Sequence, residues 1–148
     1  MARQYHQGKY TCTNPHKYIG NAAEICFRSS WEKRCMIWFD NTPSILKWGS
    51  EEIIIPYISP VDNRPHRYFP DFAVKYKKKD GSVKFAIIEV KPEIQTQVPK
   101  QPKRMTKQFM ESVETYAINT SKWIAARKFC ESKDMDFIIL TEKDIGVK

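Results

Sequence analysis

Residues 67–91, RYFPDFAVKYKKKDGSVKFAIIEVK, form the stretch of sequence on which the fold of this chain depends. Two runs rich in aromatic and β-branched residues, 67–76 and 83–91, flank a short polar segment that contains a glycine. Runs of this kind around a glycine turn are typical of antiparallel strands joined in a hairpin. The sequence therefore predicts a β-hairpin with Lys79-Asp80-Gly81 at its tip.

The length of the hairpin loop decides which side chains share a face of the sheet. Glu89 and Lys91 point the same way, about 6.6 Å apart, because alternate residues of a strand share a face. A three-residue loop with Gly81 in the left-handed conformation sets Asp71 opposite Glu89, whereas a two-residue turn sends the two acids to opposite faces. We expect the three-residue loop, because glycine at its third position is what that turn favours.

Two adjacent carboxylates repel each other, and the repulsion raises the pKa of one of them unless a cation neutralises the pair. A hard divalent ion such as Mg²⁺ prefers oxygen ligands, and the backbone carbonyl of Val90 is a further candidate ligand beside Asp71 and Glu89. Such an ion polarises a phosphoryl oxygen and lowers the pKa of its water, while Lys91 orients the nucleophile or offsets developing charge. The expected chemistry is phosphodiester hydrolysis. Taken alone, Glu-x-Lys is equally typical of a surface ion pair worth under ~1 kcal/mol.

Further elements are predicted on either side of the hairpin. The capping pattern Ser29-x-x-Glu32 opens a helix, and Pro56 restricts its strand to a sheet edge or a bulge. A proline-rich linker spans 92–106. The elements are a helix to about Asp40, a strand over 51–58, a helix over 107–132 and a strand over 135–140. With the hairpin they give the order α-β-β-β-α-β, an α/β domain with a mixed central sheet flanked by helices.

Helical spacing also predicts which residues of each helix face the core. In the first helix these are Trp31, Cys35, Trp38 and Phe39. In the second helix they are Phe109, Val113, Tyr116, Ala117, Thr120, Trp123, Ile124 and Cys130.

The positive charge of the chain is concentrated in its middle third. The formal net charge is +8, and residues 61–110 hold twelve basic and five acidic residues. A concentration of this kind favours a surface that faces a polyanion, with a solvated basic face as the alternative.

Nine basic residues of this segment are candidate contacts to DNA phosphates, which would position DNA without reading its bases. They are Arg64, Arg67, Lys77, Lys78, Lys79, Lys100, Lys103, Arg104 and Lys107. For Lys77-Lys78-Lys79 a solvated turn is the alternative. No helix suited to reading a major groove is evident, so we expect little sequence specificity.

Length and composition limit the class of protein. The 148 residues suit one domain, predicted over 21–148, with an N-terminal arm over 1–20. No apolar run approaches a membrane span and the N-terminus lacks a signal-peptide core, which argues against a secreted or membrane-bound protein. The four cysteines show no spacing suited to zinc and are expected to be reduced thiols.

The pattern Pro70-Asp71, a spacer, and then Glu89-Val90-Lys91 resembles the signature of the PD-(D/E)-x-K nuclease superfamily, whose core also runs α-β-β-β-α-β. A narrower resemblance spans nearly the full chain and is to the head completion nucleases of T-even-type tailed bacteriophages. It is carried by Arg28–Glu32, Lys47–Glu52, Pro56–Asp62, Arg67–Phe72, Ile87–Pro92 and Leu140–Asp144. TnsA-type transposon endonucleases are more distantly similar.

The resemblance implies a metal-dependent DNA endonuclease of restriction-endonuclease-like fold. Asp71 and Glu89 would bind Mg²⁺, for which Mn²⁺ would substitute, and Lys91 would be the catalytic lysine. Glu32 would complete the metal site directly or through water, although its capping-box position also explains it as a helix cap. The implied substrate is double-stranded DNA, trimmed at a filled phage head before tail attachment.

The same resemblance implies phage portal or neck proteins as partners, no membrane, and a location in the host cytoplasm during assembly and then in the virion. The alternatives are a structural neck protein without cleavage activity and a TnsA-like transposase subunit. The sequence determines neither the oligomeric state nor whether one or both DNA strands are cut.

Overall fold

The computed structural model describes residues 7–146, which are organised around a four-stranded mixed sheet. The helices are α1 (Ser30–Asn41) and α2 (Lys107–Ser132), and the strands are β1 (Gly8–Lys9), β2 (Cys26–Phe27), β3 (Ile45–Ser50), β4 (Ile55–Ile58), β5 (Pro65–Tyr68), β6 (Phe72–Lys77), β7 (Val83–Val90) and β8 (Asp136–Leu140). The main sheet has the order β3-β6-β7-β8, in which β7 and β8 are parallel and the other neighbours antiparallel. Two small ladders, β1–β2 and β4–β5, complete the described strands.

The hairpin of β6 and β7 has the predicted three-residue loop. The loop ends at Gly81, whose φ of +88° lies in the left-handed region that glycine tolerates. The two strands are paired from the loop to Phe72, which lies opposite Ile88. One step further along the same register sets Asp71 opposite Glu89, so the expected juxtaposition is confirmed.

The two faces of the main sheet bury two separate apolar clusters. One face packs against α1, and the other packs against α2 and the β4–β5 ladder. Ile87 belongs to the second cluster, together with Tyr68 and Trp123. Because side chains alternate along a strand, Glu89 and Lys91 point to the same face as Ile87. The predicted site residues of β7 therefore face α2.

Two expectations about strands are wrong. The predicted strand over 67–76 is divided into β5 and β6, with Pro70 between them, because proline has no amide hydrogen for a ladder. The predicted strand over 51–58 is reduced to β4, which pairs with β5 outside the main sheet and places Pro56 at an edge as expected. The place beside β6 belongs to β3, which the pattern did not reveal although its Trp48 is fully buried.

Around the main sheet the elements follow the chain in the order α1, β3, β6, β7, α2 and β8. The parallel pairing of β7 with β8 requires a crossover, which α2 supplies by packing against β4, β7 and β8. The chain is therefore an α/β protein with a mixed sheet and a helix on each face.

Both helices have nearly the predicted bounds, but their buried faces differ in part from the prediction. Trp38 is 55% exposed, and Val113 and Ile124 are also exposed. The buried residues are Cys35, Met36, Phe39 and Asp40 in α1, and Asn119, Trp123, Ala126 and Cys130 in α2. In α2 they begin at Asn119, in the middle of the helix, and continue into the C-terminal half, where the helix meets the sheet. Exposed apolar residues of the N-terminal half follow the helical period without facing the core.

The segment before α1 is fastened to the domain by the buried carboxylate of Asp40. Its Oδ2 accepts hydrogen bonds from the Tyr10 hydroxyl and the Thr13 amide, both at 2.7 Å, and its Oδ1 accepts one from the Asn14 amide at 3.0 Å. The Lys17 ammonium donates to backbone carbonyls at the end of α1. The described part of the predicted arm therefore packs on the domain, and its first six residues lie outside the described residues.

Neither described helix combines the length and apolar character needed to cross a bilayer. Cys12, Cys26, Cys35 and Cys130 are free thiols, as predicted. The fold is held by its apolar clusters and hydrogen bonds rather than by covalent cross-links.

Replacing Gly81 with alanine should lower the free energy of unfolding by about 1 kcal/mol, because a Cβ is strained at positive φ. A steric clash is not the cause of this loss of stability, since nothing lies within 4 Å of the added Cβ. Gly81→Asn is the matched control, because asparagine tolerates the left-handed region. Urea denaturation of both variants tests this, and equal losses would show that backbone strain is not the cause.

Replacing Asp40 with asparagine should destabilise the protein by about 2–4 kcal/mol, because an amide NH₂ would then face a hydrogen-bond donor. Asp134→Asn removes the same charge at an exposed position and should change stability by less than about 0.5 kcal/mol. Urea denaturation measures both. A loss for Asp40→Asn no larger than that of the control would contradict the role of the arm contacts.

Candidate metal-dependent nuclease site

The centre of the candidate site is the pair of carboxylates that the hairpin register brings together. The Val90 amide donates to Asp71 Oδ2 at 2.8 Å, and the Asp71 amide lies 3.4 Å from Glu89 Oε2. Each acid is thus held by the backbone of the other strand. Glu89 is only 6% exposed, whereas Asp71 keeps an accessible edge.

A tyrosine that the sequence analysis did not identify fixes the second acid. The Tyr68 hydroxyl, at the end of β5, donates to Glu89 Oε2 at 2.5 Å, and the ring is buried. Burial and the negative charge of Glu89 raise the pKa of Tyr68, so the hydroxyl keeps its proton and remains a donor. A tyrosine three residues before Asp71 carries no pattern of its own that would have revealed this contact.

Burial and mutual repulsion make the two carboxylates difficult to ionise. Desolvation, followed by the charge of Glu89, raises the pKa of Asp71 well above its usual range. Desolvation also raises the pKa of Glu89, against the opposing effects of the Tyr68 hydrogen bond and the Lys91 charge. Two acids in this state bind a proton or a cation readily.

Lys91 lies beside the pair as the strand pattern predicts. Its Nζ is 3.7 Å from Glu89 Oε1, and its side chain is 26% exposed. The ammonium therefore contacts both Glu89 and the solvent from which a substrate would approach.

The chemistry of the donor set suits a hard cation. Within residues 7–146, Asp71 Oδ1 receives no hydrogen bond, and Glu89 Oε1 has only the ion pair with Lys91. Each carboxylate therefore uses one oxygen to hold its position, and the other oxygen accepts no hydrogen bond from the described residues and in Glu89 contacts only Lys91. Over the same residues, no group of three His, Cys, Asp or Glu side chains is arranged to hold a metal ion, so backbone, water or substrate oxygens would have to complete the shell.

Glu32 accepts a backbone hydrogen bond at the start of α1, which is one of its two predicted roles, although the donor is the Arg28 amide rather than the Ser29 amide of a capping box. The Ser29 hydroxyl accepts a hydrogen bond from the Glu32 amide at 3.1 Å, and Glu32 Oε2 accepts one from the Arg28 amide at 3.0 Å. Burial raises the pKa of Glu32, and its charge contributes to the raised pKa of Asp71. Glu32 is therefore close to the acid pair without forming a ligand cluster with it.

Lys122 of α2 was not among the predicted site residues, and the structure brings it near the site. Its Nζ lies 5.8 Å from the centroid of the Tyr57 ring and 5.6 Å from that of Tyr68. Desolvation and the charge of Lys91 lower the pKa of Lys122, while Glu89 and Asp71 oppose this effect. Four charged groups thus act on one another here: Asp71 just before β6, Glu89 and Lys91 at the end of β7, and Lys122 of α2.

The nine predicted DNA contacts are distributed over several parts of the surface. Arg67 lies on β5 with its guanidinium 5.8 Å from the Phe69 ring centroid. Lys77, Lys78 and Lys79 surround the hairpin tip, at the end of β6 opposite to Asp71, roughly 20 Å or more away by strand rise. Arg64 lies in the loop before β5, Lys100, Lys103 and Arg104 lie in the linker, and Lys107 begins α2, all exposed. Their contacts to DNA stay a prediction.

Comparison with known proteins agrees with the geometry. The TnsA-like endonuclease N-terminal family matches residues 42–142, a segment that contains the hairpin, the acid pair and α2. The chain is 39% identical over 141 residues to the head completion nuclease of Enterobacteria phage T4, covering 93% of this chain and 91% of that protein. No solved structure matches the chain. The predicted resemblance is confirmed, and the chain belongs to the TnsA-like endonuclease N-terminal family.

Proposed function

We propose that this protein is a divalent-metal-dependent DNA endonuclease with a PD-(D/E)-x-K core, which hydrolyses phosphodiester bonds with little sequence preference. The observation that carries the proposal is the juxtaposition of Asp71 and Glu89, each with one oxygen available, beside the Lys91 ammonium. The order of the elements around the main sheet is that of the superfamily core, which supports the fold assignment.

Asp71 and Glu89 would hold the cation, with the Val90 carbonyl and, directly or through water, Glu32 as further ligands. Mg²⁺ is the expected ion, and Mn²⁺ should substitute. When bound, such an ion supplies Lewis-acid polarisation of the scissile phosphate and a water of lowered pKa.

The protein groups around the acids have separate tasks. The Tyr68 hydroxyl and the backbone amides hold the two carboxylates in place, so that little reorganisation is needed when substrate arrives. The Lys91 ammonium orients the attacking water or offsets negative charge that develops on the phosphoryl oxygens.

The biological setting is proposed from the relative named a head completion nuclease. We infer that double-stranded DNA at the opening of a filled phage head is trimmed before the tail joins. Portal and neck proteins would be the partners, in the host cytoplasm during assembly and then in the virion. A second candidate, a TnsA-like subunit that cuts DNA with a partner recombinase, is favoured by the family match over 42–142.

Wild-type protein should nick or linearise plasmid DNA in Mg²⁺ or Mn²⁺, and Asp71→Asn and Lys91→Ala should each slow cleavage at least about 100-fold. The reason is loss of a cation ligand in the first case and of charge stabilisation in the second. Gel analysis of the nicked and linear forms measures the rates. Asp134→Asn and Lys128→Ala are matched exposed controls and should cleave within about two-fold of wild type.

Equal cleavage by wild type, Asp71→Asn and Lys91→Ala would indicate a contaminating nuclease. Absence of cleavage by the wild type in either ion would favour the structural neck role. Cleavage that appears only when a recombinase is added would favour the TnsA-like subunit.

Without metal, Asp71→Asn should melt at a higher temperature than wild type at pH 7–8. A carboxyl whose pKa is raised by folding binds its proton more tightly in the folded state, so stability falls as pH rises above about 4, where the unfolded chain ionises. The advantage of the variant should therefore shrink as pH is lowered toward 4. Thermal melts in EDTA over this pH range measure it.

Added Mg²⁺ should raise the melting temperature of wild type at pH 8 but not that of Asp71→Asn, since a ligand stabilises only the state that binds it. Two results together would contradict the assignment of Asp71 as a metal ligand with a raised pKa. They are a lower melting temperature for Asp71→Asn than for wild type in EDTA at pH 8, and no change in the wild-type melting temperature on addition of Mg²⁺.

A further inference from the structure

Lys122 is held in a way that is unusual for a lysine of a surface helix. The side chain is only partly exposed, between the rings of Tyr57 and Tyr68, with Nζ at 5.8 and 5.6 Å from their centroids. Within residues 7–146 its ammonium forms no hydrogen bond or ion pair. The two rings attract the ammonium through their π faces, which favours one position of the charge beside them.

The fixed charge lies on the side of α2 that faces the acid pair. Tyr68, one of its two ring partners, donates a hydrogen bond from its hydroxyl to Glu89, so Lys122 lies near the ring and Glu89 contacts the hydroxyl of the same tyrosine. The charges of Lys91, Glu89 and Asp71 all act on Lys122. Lys122 therefore belongs to the same electrostatic environment as the residues proposed for cleavage.

The charges of this environment are incomplete without a further anion. Asp71, Glu89 and the nearby Glu32 carry three negative charges against the two positive charges of Lys91 and Lys122, and a divalent cation would then leave an excess of one positive charge. Placing two ammonium groups where they repel each other is unfavourable unless an anion binds between or beside them. A DNA strand supplies such anions at the spacing of its phosphates.

We propose that Lys122 binds a backbone phosphate of the DNA strand that is cut, next to the phosphate at the Asp71–Glu89 pair. Lys122 thereby fixes the strand on the side of the site formed by Tyr57 and Tyr68. Because a lysine is a point charge without base-reading geometry, this contact adds affinity and register without sequence preference. The inference rests on the proposed function, because it needs DNA as the substrate.

The test measures binding of a short fluorescent DNA duplex in EDTA, so that cleavage does not enter. Lys122→Gln should weaken binding about ten-fold at low salt and reduce the slope of log affinity against log NaCl concentration by about one. Lys122→Met keeps the apolar stem between the two rings and should give the same result, while Lys122→Arg should retain the wild-type slope.

Lys128→Gln is the matched control, since it removes the same charge from an exposed position six residues along α2. It should change affinity by less than about two-fold. Thermal melts of every variant identify any loss of folding. If Lys122→Gln proves unstable, the binding result for Lys122→Met decides the test in its place.

Several results would overturn the inference. Unchanged affinity and salt slope for Lys122→Gln and Lys122→Met, together with slower cleavage, would make Lys122 a counter-charge for Glu89 only. An equal loss of DNA affinity in Lys128→Gln would show that the effect comes from the overall positive charge of the protein and not from the position of Lys122. If Lys122 controls binding but wild type does not cleave DNA, the inference stands and only the proposed cleavage fails. If wild type cleaves and both Lys122 variants bind normally, only the inference fails.

Discussion

Repulsion between two like charges that are largely removed from water is the constraint around which this molecule is organised. Asp71 and Glu89 would separate if they were free to do so, and burial alone opposes the ionisation of both. Three features prevent separation: the hairpin register, the reciprocal backbone contacts and the Tyr68 hydroxyl. Burial of apolar side chains in the clusters on the two faces of the sheet stabilises the fold and offsets this repulsion.

The part of the site that could be predicted is the part encoded by local rules. Strand alternation and turn chemistry relate Gly81 to Asp71 and Glu89 within one hairpin, so counting residues was sufficient to place the acids together. The bounds of α2 and the capping role of Glu32 follow from equally local signals. None of these depends on how distant segments pack.

Other features could not be read from the sequence because they depend on contacts between distant segments. Lys122 lies near the acids only because α2 crosses over the sheet, and Tyr68 contacts Glu89 only because the strand is interrupted at Pro70. Strand β3 lacks a clear alternating pattern, since Lys47 and Gly49 interrupt its apolar residues. Trp38 follows the helical period but lies outside the surface that the sheet covers.

The crossover between β7 and β8 has a consequence for the order in which the molecule folds. The hairpin closes a short loop, so its loss of chain entropy is small and its contacts can form early. Parallel pairing of β8 with β7 closes a much longer loop, which contains the linker and the 26 residues of α2, so its loss of chain entropy is larger. On this argument we expect the two acids to come together in the hairpin before α2 packs over them, and the packing of α2 both removes water from the acids and brings Lys122 near them.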